Sequence, residues 1–233
     1  MKNTVVGDMR LSSKRSIMLI GHLVLALLLI AGNLRAAPTP AAIAARLQQE
    51  YENAKSFSAD FRQETTLQLG RSRTRQGAGS VVIQRPGKMR WDYTAPDPQV
   101  IICDGKTITI YLEKAKQLIV GDAKEYLQSD ITYSFFTGTG NLLRDFAVAV
   151  PEDGQIETDD SYRITLTPKQ PHPHVAELTV TVDKKTFLIK ELLIADHFGS
   201  ITKMTFTNLQ LNKHYPDAFF HITPPPGTEI IKN

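Results

Sequence analysis

Apolar residues along this chain change their period once, and that change divides it. After Thr39-Pro40, a capping hydroxyl followed by proline, Ile43, Leu47, Tyr51 and Ala54 recur every three or four positions. Arg46, Gln49, Glu50 and Asn53 lie opposite them, so the pattern predicts an amphipathic helix that ends near Lys55. Phe57, Ala59 and Phe61 then alternate with Ser58, Asp60 and Arg62, the period of a half-buried strand. That run fades into the arginine-rich segment 70–77, read as a solvated hairpin loop. Strand signals follow at 80–85, 88–94, 100–103, 106–112 and 117–120. Pro86-Gly87, Pro96, Pro98 and Asp104-Gly105 separate them. Further strands are expected at 146–150, 162–167, 175–182, 187–195, 201–211 and 218–222.

About eleven strands without intervening helices require a mainly antiparallel sheet, so the fold class is mainly β (α+β). So many strands in one domain form a sandwich or curl toward a barrel. Two segments stand apart: the N-terminal helix, and 122–144, where Tyr126, Leu127, Ile131, Tyr133, Phe135, Phe136, Leu142 and Leu143 fall without strand alternation. The economical arrangement is a curved sheet with these helices across its mouth. In the strand RPGKMRWDY, Met89, Trp91 and Tyr93 share one face, and Lys88, Arg90 and Asp92 share the other, expected to be solvated.

Composition changes this picture mainly at the N-terminus. Lys14 and Arg15 precede an apolar run over 17–31, followed by small and polar residues. The run is short of the roughly 20 residues of a spanning helix, and Gly21 and His22 weaken it, so residues 1–36 read as a cleaved signal peptide. With cleavage after Ala36, the remaining 37–233 form a single domain without a nearby cysteine to accept a lipid. The chain's charge of +3 becomes 22 bases against 23 acids in the mature protein, which removes the simplest support for a nucleic-acid role. Cys103, the single cysteine, sits in an apolar run and reads as a buried small hydrophobe. Stability must therefore come from a packed core.

Candidate chemistry is sparse. The chain has no G-x-S-x-G elbow, no phosphate-binding loop and no H-E-x-x-H motif, so neither an enzyme nor a cofactor is expected. His172 and His174 could face one metal from an extended segment, but no cysteine pair or third ligand accompanies them in sequence. Barrels wide enough to leave interior space hold ligands behind apolar linings. Phe57, Phe61, Met89, Trp91 and Tyr93 would line such a space or simply fill the core; alternation alone does not separate the two.

The residues resemble a known family, the periplasmic outer-membrane lipoprotein carriers of the LolA family. The resemblance runs through Phe57-Ser58-Ala59-Asp60-Phe61-Arg62-Gln63, Gly79, Arg85-Pro86, Arg90-Trp91-Asp92-Tyr93, Pro96, Asp104-Gly105-Lys106, Tyr111 and Gln117. It resumes at 135–146 and ends at Phe219, His221, Thr223-Pro224-Pro225 and Gly227. It implies an unclosed antiparallel barrel lidded by helices, and a soluble periplasmic chaperone that takes acylated lipoproteins from an inner-membrane releasing transporter to an outer-membrane acceptor. It further implies that Arg85 latches the lid through backbone oxygens. By the same resemblance Met89, Trp91 and Tyr93 line the acyl cavity, and Leu47, Tyr51 and Ala54, with Phe135 and Phe136, form the lid's underside. Met89 stands where many relatives carry an aromatic residue or leucine. A monomer is expected, and a carrier of another acyl lipid or glycolipid is the alternative use of the same fold.

Overall fold

A computed structural model describes residues 37–68, 73–127 and 140–232. The signal peptide expected over 1–36, and Phe135 and Phe136, lie outside the described residues. Helix α1 spans Pro40–Asn53 and starts as its sequence demands, the Thr39 hydroxyl accepting a hydrogen bond from the Ala42 N–H at 3.2 Å. Its face of Ile43, Ala44, Leu47 and Tyr51 is buried, and the chain leaves it almost directly into the first strand.

The strands are β1 (Ser56–Leu67), β2 (Arg73–Gln84), β3 (Lys88–Ala95), β4 (Gln99–Asp104), β5 (Thr107–Leu112) and β6 (Gln117–Asp122). They continue as β7 (Phe146–Ala149), β8 (Ser161–Pro168), β9 (Glu177–Asp183), β10 (Ile189–Ala195), β11 (Ile201–Leu211) and β12 (Glu229–Lys232). All belong to one 12-stranded sheet in the order β12-β6-β5-β4-β3-β2-β1-β11-β10-β9-β8-β7. Pairing of β1 with β11 joins the two halves of the chain, while β12 and β7 remain edges, so the sheet is unclosed. Neighbours are antiparallel except β12, which lies parallel to β6. Two short helices follow β6 and precede β7: α2 (Ala123–Leu127) and α3 (Leu142–Asp145).

Register converts alternation into layers. Phe57, Ile83, Met89, Cys103 and Ile108 stand opposite one another across five strands, and Ala59, Val81, Trp91, Ile101 and Ile110 form the next row. On the other side of β1, Met204, Leu192, Val180 and Ile164 continue the same surface. These residues belong to one apolar cluster that also contains the buried face of α1. Burial of Cys103 in it is as expected. Gly79 marks the place where the rows bend: β2 and β3 slip register between Ala78 and Gly79, and a Cβ on Gly79 would stand 1.8 Å from the Asp92 carbonyl oxygen.

The structure corrects several expectations. The segment 70–77 is not wholly a loop, because β2 begins at Arg73 and extends the β1 ladder outward; backbone pairing overrides the polar composition. The segment 218–222 is not a strand: Asp217–Phe220 forms a 3-10 helix, and the last strand lies later, at Glu229–Lys232. The consecutive Phe219 and Phe220 both pack into a second apolar cluster with Val82, Ile102 and Tyr215, which strand alternation would forbid. That cluster also overturns the solvated outer face assigned to Lys88, Arg90 and Asp92. Arg90 makes a two-pronged pair with Asp92 at 2.7 and 2.8 Å, donates to the Phe219 carbonyl at 2.9 Å and lies over the Phe219 ring. Lys88 pairs with Asp217 at 2.7 Å. The outer surface of β2, β3 and β4 is thus covered by the chain's own C-terminal segment, tied down by cations of β3.

Phe220 is the buried anchor of this second layer. Phe220→Ala should lower the unfolding free energy by about 3–5 kcal/mol in urea denaturation, with fraying of the segment after β11 seen by amide exchange before any change in β1.

Candidate functional site

The inner face of the sheet and the helix that lies on it make the site. Phe61 stands edge-on to both Trp91 and Tyr93, with ring centroids 4.9 and 4.8 Å apart, and the Tyr93 hydroxyl donates to Gln63 Oε1 at 2.9 Å. Phe57 bridges this wall to the helix: its ring is 5.6 Å from Tyr51 and 6.2 Å from Phe206. Such aromatic contacts add roughly 0.5–1.5 kcal/mol each beyond the area they bury.

Helix α1 is fixed to the sheet by a few polar ties around its apolar contact. Arg85, at the β2–β3 turn, donates from Nη1 to the Glu52 carbonyl at 3.1 Å. α1 has no basic residue in its last turn, so this guanidinium supplies both a donor for an unpaired helix-end carbonyl and the charge that the helix dipole favours there. Burial lowers the Arg85 pKa from the usual arginine range, and the Glu52 carboxylate opposes the shift. Tyr51 accepts a hydrogen bond from the Ile189 N–H at 3.1 Å, and burial pushes its ionisation upward. Gln48 is buried between Glu52 and α3, donating to Glu52 at 2.8 Å and accepting from the Leu142 N–H at 2.9 Å. It thereby links α1 to the start of α3, which Asn141 caps by accepting from Arg144 N–H at 2.8 Å.

Residues 52–223 match the family described as Outer membrane lipoprotein carrier protein LolA. The chain belongs to the LolA family. It is 28% identical over 197 residues to an outer-membrane lipoprotein carrier protein of Chromobacterium violaceum, covering 84% of this chain and 90% of that one. A relative of the same description from Nitrosomonas europaea is 29% identical over 196 residues, covering 84% and 92%. Among solved structures, an uncharacterized conserved protein from Thermus thermophilus superposes with a TM-score of 0.53 at 9% identity. That superposition covers 82% of this chain and 97% of the other, a likeness of fold alone.

Of the residues that alternation and the LolA resemblance single out, the structure brings Leu47, Tyr51, Phe57, Phe61, Met89 and Trp91 into one buried cluster, with Tyr93 packed partly exposed against it. Ile43, Ala44, Gln48, Met204 and Phe206 were not singled out, though they are equally buried in this contact. Ala44 and Gln48 fall one helical turn apart, a signal weakened by their small size and polarity; Met204 and Phe206 alternate correctly, but only the β1–β11 pairing reveals which face they share. Away from this site, the rings of His172 and His174 lie 6.2 Å apart, and His197 Nε2 is 2.7 Å from the His172 carbonyl oxygen. Among the described residues no group of His, Cys, Asp or Glu large enough to hold a metal forms, and no helix is long and apolar enough to cross a membrane.

Arg85→Met keeps the side chain's length while deleting the charge and the donor. It should cost about 1 kcal/mol of global stability, because the guanidinium is half-exposed. Hydrogen exchange should quicken at the amides of 51–55, with those of β9 and β10 unchanged.

Proposed function

We propose that this chain is exported, loses residues 1–36, and acts in the periplasm as a monomeric carrier. It would hold the acyl chains of a lipoprotein against the inner face of its sheet and pass them from an inner-membrane releasing transporter to an outer-membrane acceptor. Membership of the LolA family and the lipoprotein-carrier names of its relatives support this reading. The observation that carries it is the continuous apolar wall of Phe57, Phe61, Met89 and Trp91, roofed by the amphipathic helix α1, which Arg85 and Tyr51 tie to the sheet. Each methylene withdrawn from water is worth about 0.8 kcal/mol, so long acyl chains can replace the apolar face of α1 on the wall while α1 swings aside. Arg85 is then the latch whose bond to Glu52 breaks as ligand enters, Leu47 and Tyr51 line the underside of the lid, and Phe135 and Phe136 are assigned to it from the sequence alone. No catalytic step is required of any residue.

Extraction of the protein purified from periplasm, followed by mass spectrometry, should find acylated lipoprotein. Met89→Glu, which places a carboxylate in the wall, should reduce the bound lipoprotein at least tenfold while the sheet still folds. Recovery of only free fatty acid or glycolipid would favour the carrier of another lipid. Depletion of the protein with undisturbed lipoprotein delivery to the outer membrane would refute the transport role.

A further inference from the structure

Strand β2 runs past its neighbour. Its ladder with β1 extends to Leu67↔Arg73 without a shift in register, whereas its pairing with β3 stops at Ala78↔Ala95. Pro96 has no N–H to continue that ladder, and the chain turns away toward β4. Among the described residues, 73–77 therefore have a strand partner on the β1 side alone. In a regular antiparallel strand successive residues turn their backbone groups to opposite sides. The Ala78 carbonyl faces β3, where it accepts from the Thr94 hydroxyl at 3.2 Å. By the two-residue repeat, Gln76 and Thr74 turn their N–H and C=O groups to the side that β3 has left.

Clefts flank this edge on both faces of the sheet. The outer one, about 500 Å³, is lined by Arg62, Glu64, Gln76, Ala78, Pro96 and Lys203. The inner one, about 300 Å³, is lined by Gln63, Thr65, Arg75, Gly77, Tyr93 and Pro96, among others. Each contains a guanidinium, Arg62 outside and Arg75 inside, and neither forms an ion pair among the described residues. Lys203 pairs with Glu191 and Asp97 at the inner cleft pairs with Lys114, while Glu64 in the outer cleft forms no ion pair among the described residues and lies 3.5 Å from the neutral Gln76 Nε2. A strand laid beside β2 would send alternate side chains into the two clefts, where Arg75 inside, and Arg62 with Lys203 against the single carboxylate of Glu64 outside, leave a cationic balance that favours carboxylates.

We propose that residues 73–77 form a strand-addition site for an extended acidic segment of a partner polypeptide, joined by main-chain hydrogen bonds to Thr74 and Gln76 and by carboxylates at Arg62 and Arg75. The inner cleft shares Tyr93 with the apolar wall beneath α1, but the strand edge at Thr74 and Gln76 lies beyond that wall, and the proposal makes no assumption about what the wall carries.

The test uses the purified protein and a fluorescein-labelled peptide of alternating glutamate and threonine, followed by anisotropy at low salt. The peptide should bind, and Gln76→Pro should weaken it about tenfold or more, because proline there removes an edge N–H without touching the β1 ladder. The Arg62→Ala, Arg75→Ala double variant should weaken it several-fold and flatten its salt dependence. Amide exchange of the unaltered protein should show Thr74 and Gln76 protected by the peptide, a readout that holds even if Gln76→Pro fails to fold. Absent binding, equal binding of a peptide with proline at alternate positions, or no protection of those two amides would overturn the proposal. So would a concentration-dependent dimer abolished by Gln76→Pro, which would assign the edge to a second copy of the chain.

Discussion

An unclosed sheet with an apolar face cannot leave that face in water, and most of this architecture follows from that constraint. Rows of side chains, held in register by β1 to β5 and joined across β1 to β11, present aromatic and aliphatic groups on one side. Closure of the barrel would have hidden them without help. The strand order instead ends in two free edges, and α1 supplies the cover. The helix follows from the same requirement: its apolar residues recur at the period that gathers them on one face, and its C-terminal carbonyl is met by a cation from the sheet and not from its own last turn. A helical cover on a continuous wall is separable from the wall, whereas a closed barrel's interior is not.

β3 organises both faces of the sheet. Met89 and Trp91 look inward, while the alternate residues Lys88 and Arg90 hold the C-terminal segment against the outside through a carboxylate, a backbone carbonyl and an aromatic ring. The wall is therefore backed by a second apolar layer and buried on two sides. With both faces of β3 packed, the wall has little freedom to yield, so in the proposed carrier the adjustment to a ligand falls to the helical cover.

The inner half of this arrangement was legible in the sequence. The helix, its Thr39 cap, the alternation through Phe57 and Phe61, and the inward face of Met89 and Trp91 rest on local periodicity, which a single strand or helix displays by itself. Where polar residues belong to a partner, periodicity was silent. Lys88, Arg90 and Asp92 read as solvated because nothing near them in sequence announces Phe219 and Phe220. Those two phenylalanines read as strand because adjacent aromatics give no period. The arginines of 73–75 read as loop because pairing of β2 with β1, and not their side chains, extends the strand. Gln48 was passed over since its burial depends on Leu142, far along the chain.

The central claim is that acyl chains lie against the inner wall, and Trp91, the single tryptophan, is built into it. A fatty acyl probe carrying bromine atoms along its chain quenches tryptophan on contact. Titrated into the protein, it should quench Trp91 emission at the same concentration dependence with which it binds, and Met89→Glu should abolish both. Saturable binding that leaves Trp91 emission unchanged would place the ligand elsewhere and contradict this account.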